Sequence, residues 1–450
     1  MAAIITPAFQ NPDEPNHFMR AEQISRFELV PTFTYEGFKA VTKKDSISAD
    51  KTILYRTPGG FITDKGLINA YSIFRPMQFN PGVKLNGIKT DSAEKIRWSS
   101  GFALRRFANT AIYVPVVYIM PVAGIYIGKF LNLSVITTLY LSRLLNGLLA
   151  ISICFFALKL AKRSNILMFT VLLFPMTVAL FASVSQDAIL ISCSFLLVAI
   201  IDNAEFNATP KYRTSELTAI IILMSIIGMA KPPYALFAFA FLFLSFSKKQ
   251  KIAIIGIPFL AILGWLYLDH NNLAIIFAPP ALHINAKLQI AHILHHPLNF
   301  LSLYFKFNLP ATLNIYKMFV GVLGWLDVPF STFYYIAASV ILCLGFILNF
   351  GFKSNDHTRM RVALLLSVLF TTMAVMATQY ITWTALDANT FSGMQGRYLL
   401  PIFPLLALAL SRTKLTDNIS LPKTILSYLP LLFPIVTAIS MIEVLVSRYY

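Results

Sequence analysis

From about residue 109 onward the chain is a succession of apolar segments, each close to the length of about 20 residues that a helix needs to cross a bilayer. Because lipid offers no partner to backbone N–H and C=O groups, such segments are expected to be helical. The sequence therefore predicts an all-α polytopic membrane protein. We expect about ten spanning helices, near residues 135–159, 166–183, 186–203, 216–230, 233–247, 252–269, 332–350, 361–382, 397–411 and 424–446.

Composition agrees with this class. Hydrophobic residues make up 57% of the chain and charged residues 13%, and the mean hydropathy is +0.67, whereas soluble domains carry about 25% charged residues. The net charge of +17 lies mainly in short connections of the apolar part, which is typical of the positive-inside bias rather than of a nucleic-acid partner. The three cysteines lie in apolar segments and predict neither a disulfide nor a metal cluster.

The basic connections alternate along the chain and therefore share one side of the membrane, which the charge rule assigns to the cytoplasm. They contain Lys159, Lys162, Arg163, Lys211, Arg213, Lys248, Lys249, Lys251, Lys353, Arg359, Arg361, Arg412, Lys414 and Lys423. The remaining connections are then outside. They carry SVSQDA (183–188), AKPPYA (230–235), an external segment at 270–331 and TWTALDANTFSGMQGRYLLP (382–401). We predict one extracytoplasmic site in a cell inner (cytoplasmic) membrane.

Residues 1–107 are polar and rich in turn formers, with no segment long enough to span. Pro115 and Pro121 interrupt the next apolar segment, 109–130, which favours an interfacial or re-entrant helix over a spanning one. We therefore predict two parts: an extracytoplasmic loop at 1–133 and a transmembrane bundle at 134–450. Three arginines before this segment (Arg97, Arg105 and Arg106) favour the opposite, cytoplasmic placement. We also expect AAIITPAF to be the tail of a first transmembrane helix missing from this chain.

The PDEPNHF stretch places two carboxylates side by side, Asp13 and Glu14. Adjacent carboxylates suit general-base work, or together a divalent cation. The same pair, following Pro12 and preceding a helical pattern, is on spacing alone more typical of a helix N-terminus, where acidic side chains cap the backbone. His17 follows one helical turn later and is a third candidate for such a site.

Three charged residues stand at predicted outer ends of spans: Asp187, Lys231 and Arg397. Cations on the outer face are not needed for topology, so Lys231 and Arg397 indicate an anionic ligand. Arg offers a planar donor fork suited to phosphate. Snorkelling and solvation explain the same positions without any ligand. The aromatic belt at the membrane interface likewise accounts for Tyr398 and Trp325.

The ordered motifs PDEPNHFMRAEQIS, YVPVVYIMPVAGIYIG, LYLSRLLN, SVSQDA, AKPPYA, HHPLNF, GVLGWLDVP and MQGRYLLPIFPLL resemble those of a multi-pass membrane family, domain of unknown function 2142, grouped with the GT-C glycosyltransferases. The resemblance implies a GT-C-like helical bundle with a large N-terminal extracytoplasmic loop and membrane-lying helices. It implies transfer of a sugar from a polyprenyl-phosphate donor to a glycan or lipid acceptor of the cell envelope. A divalent cation, Mg²⁺ or Mn²⁺, is left open, with Asp13 and Glu14 as its ligands.

Site roles follow from that resemblance. Asp13 and Glu14 are the catalytic candidates. Those for the donor phosphate are Arg397, Lys231, Tyr234, Gln395 and Tyr398, and those for substrate contacts are His17, Asp187, Trp325 and Asp327. Two rival functions share the topology: a lipid or polysaccharide transporter, which should carry ionisable residues at mid-span, and a non-catalytic envelope assembly protein.

Overall fold

The computed structural model describes residues 1–35, 38–43, 51–56, 59–206, 211–273, 284–306, 308–349, 358–386, 388, 390–411 and 423–450. Helices dominate this part of the chain. A mostly helical fold is thus confirmed, with three short two-stranded antiparallel sheets added to it. The predicted basic residues Lys353, Arg412 and Lys414 lie outside the described residues.

The N-terminal region combines short helices with two antiparallel strand pairs, β1 with β2 and β3 with β4. Asp64 ends β3 and caps the next helix, since its carboxylate accepts a hydrogen bond from the backbone N–H of Leu67. The elements are α1 (Ala2–Ile5), α2 (Glu14–Ser25), β1 (Phe38–Lys43), β2 (Lys51–Arg56), β3 (Phe61–Asp64), α3 (Lys65–Phe74), α4 (Thr90–Glu94), β4 (Phe102–Arg105), α5 (Ala108–Ala111) and α6 (Ile119–Phe130).

The rest of the chain forms a helical bundle with one small strand pair. Its elements are α7 (Val135–Leu160), α8 (Asn165–Leu172), α9 (Pro175–Phe181), α10 (Asp187–Glu205), α11 (Thr214–Ala230), α12 (Ala238–Phe241), α13 (Lys248–Leu268), α14 (His270–Leu273), α15 (Ala286–His295), α16 (Pro297–Phe305), α17 (Leu309–Val320), β5 (Val322–Leu323), β6 (Val328–Pro329), α18 (Thr332–Asn349), α19 (Thr358–Trp383), α20 (Phe403–Leu410) and α21 (Lys423–Tyr449).

Five helices in the described residues are long and apolar enough to cross a membrane: Val135–Leu160, Asp187–Glu205, Lys248–Leu268, Thr358–Trp383 and Leu432–Tyr449. Each coincides with one of the ten expected spans. Three of the other expected spans coincide with shorter apolar helices, Thr214–Ala230, Pro232–Phe241 and Thr332–Ile347. The remaining two are broken, for example between α8 and α9, where Pro175 begins a new helix.

Helix α7 shows how the bundle meets lipid. Its exposed apolar side chains recur every three or four residues and so form one stripe along the helix. The stripe contains Leu144, Leu148, Ile151 and Phe155. Helix α10, by contrast, is buried along most of its length. This pattern places α10 inside the bundle and α7 at its lipid-facing edge, which supports contact with a bilayer.

Helix α6 packs closely along the first half of α7. Gly124 and Gly128 lie one turn apart and face Ser142 and Thr138 of α7, so that a Cβ at either glycine would collide with them. Small residues at this spacing let two helix backbones approach, as they do in many membrane proteins. The N-terminal region is thereby anchored to the bundle directly beside α2, which also packs on α6.

Candidate functional site

Asp13 stands at the position before α2 but does not cap it. Its backbone is left-handed, with φ of 58°, and its side chain makes no capping hydrogen bond. The capping interpretation is therefore wrong for this side chain. Instead, Asp13 Oδ2 pairs with an Arg397 guanidinium nitrogen at 2.7 Å, and Asp13 Oδ1 accepts a hydrogen bond from Asn109 Nδ2 at 3.3 Å.

Arg397 joins two carboxylates that are far apart in the sequence. A second guanidinium nitrogen lies 3.9 Å from Asp187 Oδ2, and Asp187 Oδ1 pairs with Lys231 Nζ at 2.7 Å. We call Asp13, Asp187, Lys231 and Arg397 the charged quartet. The quartet holds two carboxylates and two cationic side chains, so its formal charges balance without a ligand.

Close backbone packing fixes the QGRY turn that carries Arg397. Gly396 lies against the backbone of α17 at Ile315 and Phe319, where any Cβ would collide. The Tyr234 hydroxyl donates a 2.7 Å hydrogen bond to the Tyr398 carbonyl oxygen. The Tyr398 ring in turn lies 4.8 Å from Lys231 Nζ and 5.5 Å from the Arg397 guanidinium carbon, within cation–π range.

Burial differs among the four side chains. Arg397 and Asp187 are 6% and 7% exposed and Lys231 is 16% exposed, whereas Asp13 is 29% exposed. Two Arg397 donors, Nε and NH1, are buried without a hydrogen-bond partner, and so is Gln395 Oε1. Buried donors without partners cost free energy that a bound acceptor oxygen would recover. The site therefore has both an approachable carboxylate and unsatisfied cationic donors.

His17 lies beside the charged quartet and contacts two tyrosines. Its Nδ1 lies 2.7 Å from the Tyr118 hydroxyl, with which it shares a hydrogen bond, and its ring stacks on Tyr113 at 5.9 Å. Burial lowers the pKa of His17 to about 4, although Asp13 and Asp187 oppose the shift. Burial also raises the pKa of Tyr113 well above its usual value. Both groups are neutral at pH 7.

Glu14 lies in a different environment from its neighbour. It is fully buried, and its two oxygens pair with Arg143 of α7 at 2.8 and 2.6 Å. The same guanidinium donates to three backbone carbonyl oxygens, those of Ala3, Thr6 and Pro7. All donors of Arg143 are thus used to hold residues 3–14 against α7. This arrangement favours a structural role for Glu14 over a catalytic one.

Trp325 and Asp327 are not brought to the charged quartet. Asp327 pairs with Arg448 of α21 at 2.9 Å, and the Trp325 indole donates to the Phe9 carbonyl oxygen at 3.2 Å. Arg448 also donates to the carbonyl oxygen of Met77. The GVLGWLDVP loop therefore connects the N-terminal region with the last helix. Among the described residues, Trp325 and Asp327 form no hydrogen bond or ion pair with Asp13, Asp187, Lys231 or Arg397.

Sequence reasoning overlooked four residues that the structure places at or beside the site: Asn109, Tyr113, Tyr118 and Arg143. Tyr113 and Tyr118 lie within the motif YVPVVYIMPVAGIYIG, and Arg143 within LYLSRLLN. An arginine inside an apolar segment was the available signal, because such a charge is kept only when it has a partner. The other three carry no comparable signal in a single sequence.

A divalent cation does not fit the carboxylates as they stand. The Asp13 carboxylate faces Arg397 and the Glu14 carboxylate faces Arg143, so the two do not share a ligand position. Among the described residues, no group of three or more His, Cys, Asp or Glu side chains could hold a metal ion. The mechanism proposed below therefore uses side chains alone.

The apolar helices and the buried quartet together define a helical membrane protein. Residues 1–406 match the family described as "Predicted membrane protein (DUF2142)", and the chain belongs to that family. No curated protein matches the chain. No solved structure matches it either.

Proposed function

We propose that the protein is a membrane glycosyltransferase that moves a sugar from a polyprenyl-phosphate donor to a hydroxyl of a glycan or lipid acceptor. The observation that carries the proposal is the charged quartet, in which an approachable carboxylate lies 2.7 Å from a buried arginine with two unused donors. A general base beside an anion-binding cation is the arrangement that displacement of a phosphate leaving group requires.

In this mechanism Asp13 accepts the proton of the acceptor hydroxyl while the hydroxyl oxygen attacks the anomeric carbon. The bond between that carbon and the phosphate oxygen breaks, and the polyprenyl phosphate leaves as an anion. Arg397 and Lys231 stabilise this anion, because Arg397 is buried, Lys231 is only partly exposed, and both are already oriented by carboxylates. Attack opposite to the leaving group inverts the anomeric configuration.

The other candidates take supporting roles. Tyr234 holds the QGRY turn through its hydrogen bond to the Tyr398 carbonyl oxygen. Gln395 Oε1, which has no hydrogen-bond partner, can accept a hydrogen bond from a sugar hydroxyl. Asp187 orients Lys231 at 2.7 Å. His17, neutral at pH 7, contributes a hydrogen bond and ring packing rather than charge. Because nucleotide sugars are cytoplasmic, a lipid-linked donor fits the extracytoplasmic placement that the sequence predicts.

The test is transfer by purified protein in liposomes from a panel of labelled polyprenyl-phosphate sugars, measured as release of polyprenyl phosphate. Wild type should release it. Asp13→Asn should lower the rate by about 10²–10⁴-fold, the usual contribution of a general base, and Arg397→Lys should also slow transfer because the planar fork is lost. Asp91→Asn, an exposed carboxylate of the same region, is the matched control.

Two outcomes would contradict the proposal. An Asp13→Asn protein that transfers sugar at the wild-type rate would remove the general base. Wild type that moves labelled lipid across the bilayer without breaking the sugar–phosphate bond would instead support the transporter.

A further inference from the structure

A cavity of about 340 Å³ opens in the N-terminal region between α2, α3 and β4. Its volume is within the range of about 300–1,000 Å³ that is usual for small-ligand sites. The lining residues are Asn16, Met19, Gly59, Tyr71, Arg75, Leu104, Arg105 and Arg106.

Charge distinguishes this cavity from an ordinary surface cleft. Three of the eight lining residues are arginines and none is a carboxylate. Within the described ranges, neither Arg75 nor Arg105 forms an ion pair with a carboxylate. Arginines that line one cavity bring like charges together, and a phosphate or carboxylate bound by their guanidinium groups would receive charge-assisted, bidentate hydrogen bonds. The chemistry of the lining therefore selects an anion.

Two hydrogen bonds connect the cavity with the charged quartet. Asn16, which lines the cavity, donates from Nδ2 to Asn109 Oδ1 at 3.0 Å, and Asn109 Nδ2 donates to Asp13 Oδ1 at 3.3 Å. Arg397 binds the other carboxylate oxygen, Oδ2. The cavity is thus connected to Asp13 through Asn16 and Asn109 at Oδ1, whereas Arg397 binds Oδ2.

We infer that this cavity binds an anionic group, phosphate or carboxylate, of the acceptor. The substrate whose hydroxyl Asp13 deprotonates is then acidic, and the arginines hold its charge while the hydroxyl reaches Oδ1. The assignment of this anionic group to an acceptor rests on the proposed function, whereas the anion site itself does not. Binding can therefore be measured without transfer.

The experiment uses the full chain in nanodiscs of neutral phosphatidylcholine at constant ionic strength. The midpoint of thermal unfolding is followed against two matched probe pairs, glucuronate with glucose and glycerol phosphate with glycerol. An anionic probe should raise the midpoint and its neutral partner should not. Arg75→Gln/Arg105→Gln should weaken the apparent affinity at least about tenfold, the effect expected from losing a charge-assisted hydrogen bond.

Controls separate this site from the quartet and from general charge effects. Arg97→Gln, an exposed arginine of the same region outside the cavity, should keep wild-type binding, and so should Asp13→Asn. Arg75 is itself exposed, so Arg75→Gln alone keeps the fold and should still weaken binding. Preserved binding in Asp13→Asn with transfer lost would support both proposals; binding without any transfer in wild type would contradict only the proposed function.

The probes also identify the source of the anion. A response to glucuronate indicates a carboxylate-bearing glycan. A response to glycerol phosphate that disappears when phosphatidylglycerol is added to the nanodisc indicates a lipid headgroup, because the lipid then occupies the cavity. If neither anion is distinguished from its neutral partner, or if Arg75→Gln/Arg105→Gln binds like wild type, the inference is overturned.

Discussion

Asp13 and Glu14 are neighbours in the chain and are treated very differently by the fold. The left-handed backbone at Asp13 turns its carboxylate toward Arg397, while Glu14 points to Arg143. A single backbone turn thus separates a partly exposed acid from a fully buried one. We therefore expect substitution of Glu14 to lower mainly the stability of the protein, and substitution of Asp13 to lower mainly its activity.

Glu14→Gln should destabilise the protein strongly. It leaves the Arg143 charge buried without its counter-ion, and breaking a buried pair in this way costs about 3–5 kcal/mol. We expect a lower unfolding midpoint in detergent and a lower level in membranes, whereas Asp13→Asn should lower both less, because Asp13 is partly exposed and Arg397 keeps Asp187 as a counter-ion. Glu94→Gln, an exposed carboxylate, is the control. A Glu14→Gln protein that unfolds like wild type but transfers no sugar would return Glu14 to the catalytic candidates.

His17 should make stability depend on pH in acid. Its pKa is about 4 in the folded protein and 6.5 when unperturbed, so the unfolded chain binds the proton more readily between these values. The contribution of His17 to the free energy of unfolding is therefore fully present above pH 6.5. It is lost as pH falls toward 4, by about 3 kcal/mol in all. The unfolding midpoint of His17→Gln, measured over this range, should fall less than that of wild type. Equal slopes would contradict the assignment.

At the scale of elements, helix type and position followed from the sequence more reliably than helix continuity. Apolar length alone identified all five long helices. The expected span at 166–183 is interrupted at Pro175, where a new helix begins. The proline is visible in the sequence, but apolar length alone takes no account of it. Likewise Gly396, in the QGRY turn, lies directly against the backbone of α17. Which neighbour a glycine approaches is a property of packing, and no single sequence states it.

The contact between α6 and α7 should depend on its two glycines. Gly124→Ala and Gly128→Ala place a methyl group against Ser142 and Thr138, which forces the helices apart and should cost about 1–3 kcal/mol, as overpacking does. Gly256→Ala in α13 meets nothing within 4 Å and should be neutral or stabilising by up to about 1 kcal/mol, because alanine favours helix. Unfolding midpoints of the three variants measure the difference; equal midpoints would exclude a close contact.

For the whole molecule, the sequence named all four members of the charged quartet but could not pair them. Asp13 and Arg397 are 384 residues apart, and only the order of helices in space brings them together. Helix α10 extends from the charged quartet toward the opposite end of the bundle. Asp187 begins it, and Asp202, about 22 Å further along, binds Arg163 at 2.8 Å at the end where the predicted cytoplasmic connections lie.

Membrane sidedness is therefore testable with three single cysteines in a background lacking Cys154, Cys193 and Cys343. Asn80→Cys in the N-terminal region and Ser392→Cys just before the QGRY turn, both at exposed positions, should react with a membrane-impermeant thiol reagent added to intact cells. Lys162→Cys, also exposed, should react only after permeabilisation. The reverse pattern would place the quartet in the cytoplasm and would favour a nucleotide sugar over a lipid-linked donor.

The two ends of the described chain meet. The Tyr449 hydroxyl donates to the Gln10 carbonyl oxygen, and Lys84 Nζ donates to the carbonyl oxygens of Ser447 and Arg448. Gln10 and Tyr449 are 439 residues apart, so the segment that leads to Asp13 gains these contacts only when α21 docks. A folding intermediate in which α21 has not yet docked leaves that segment without them.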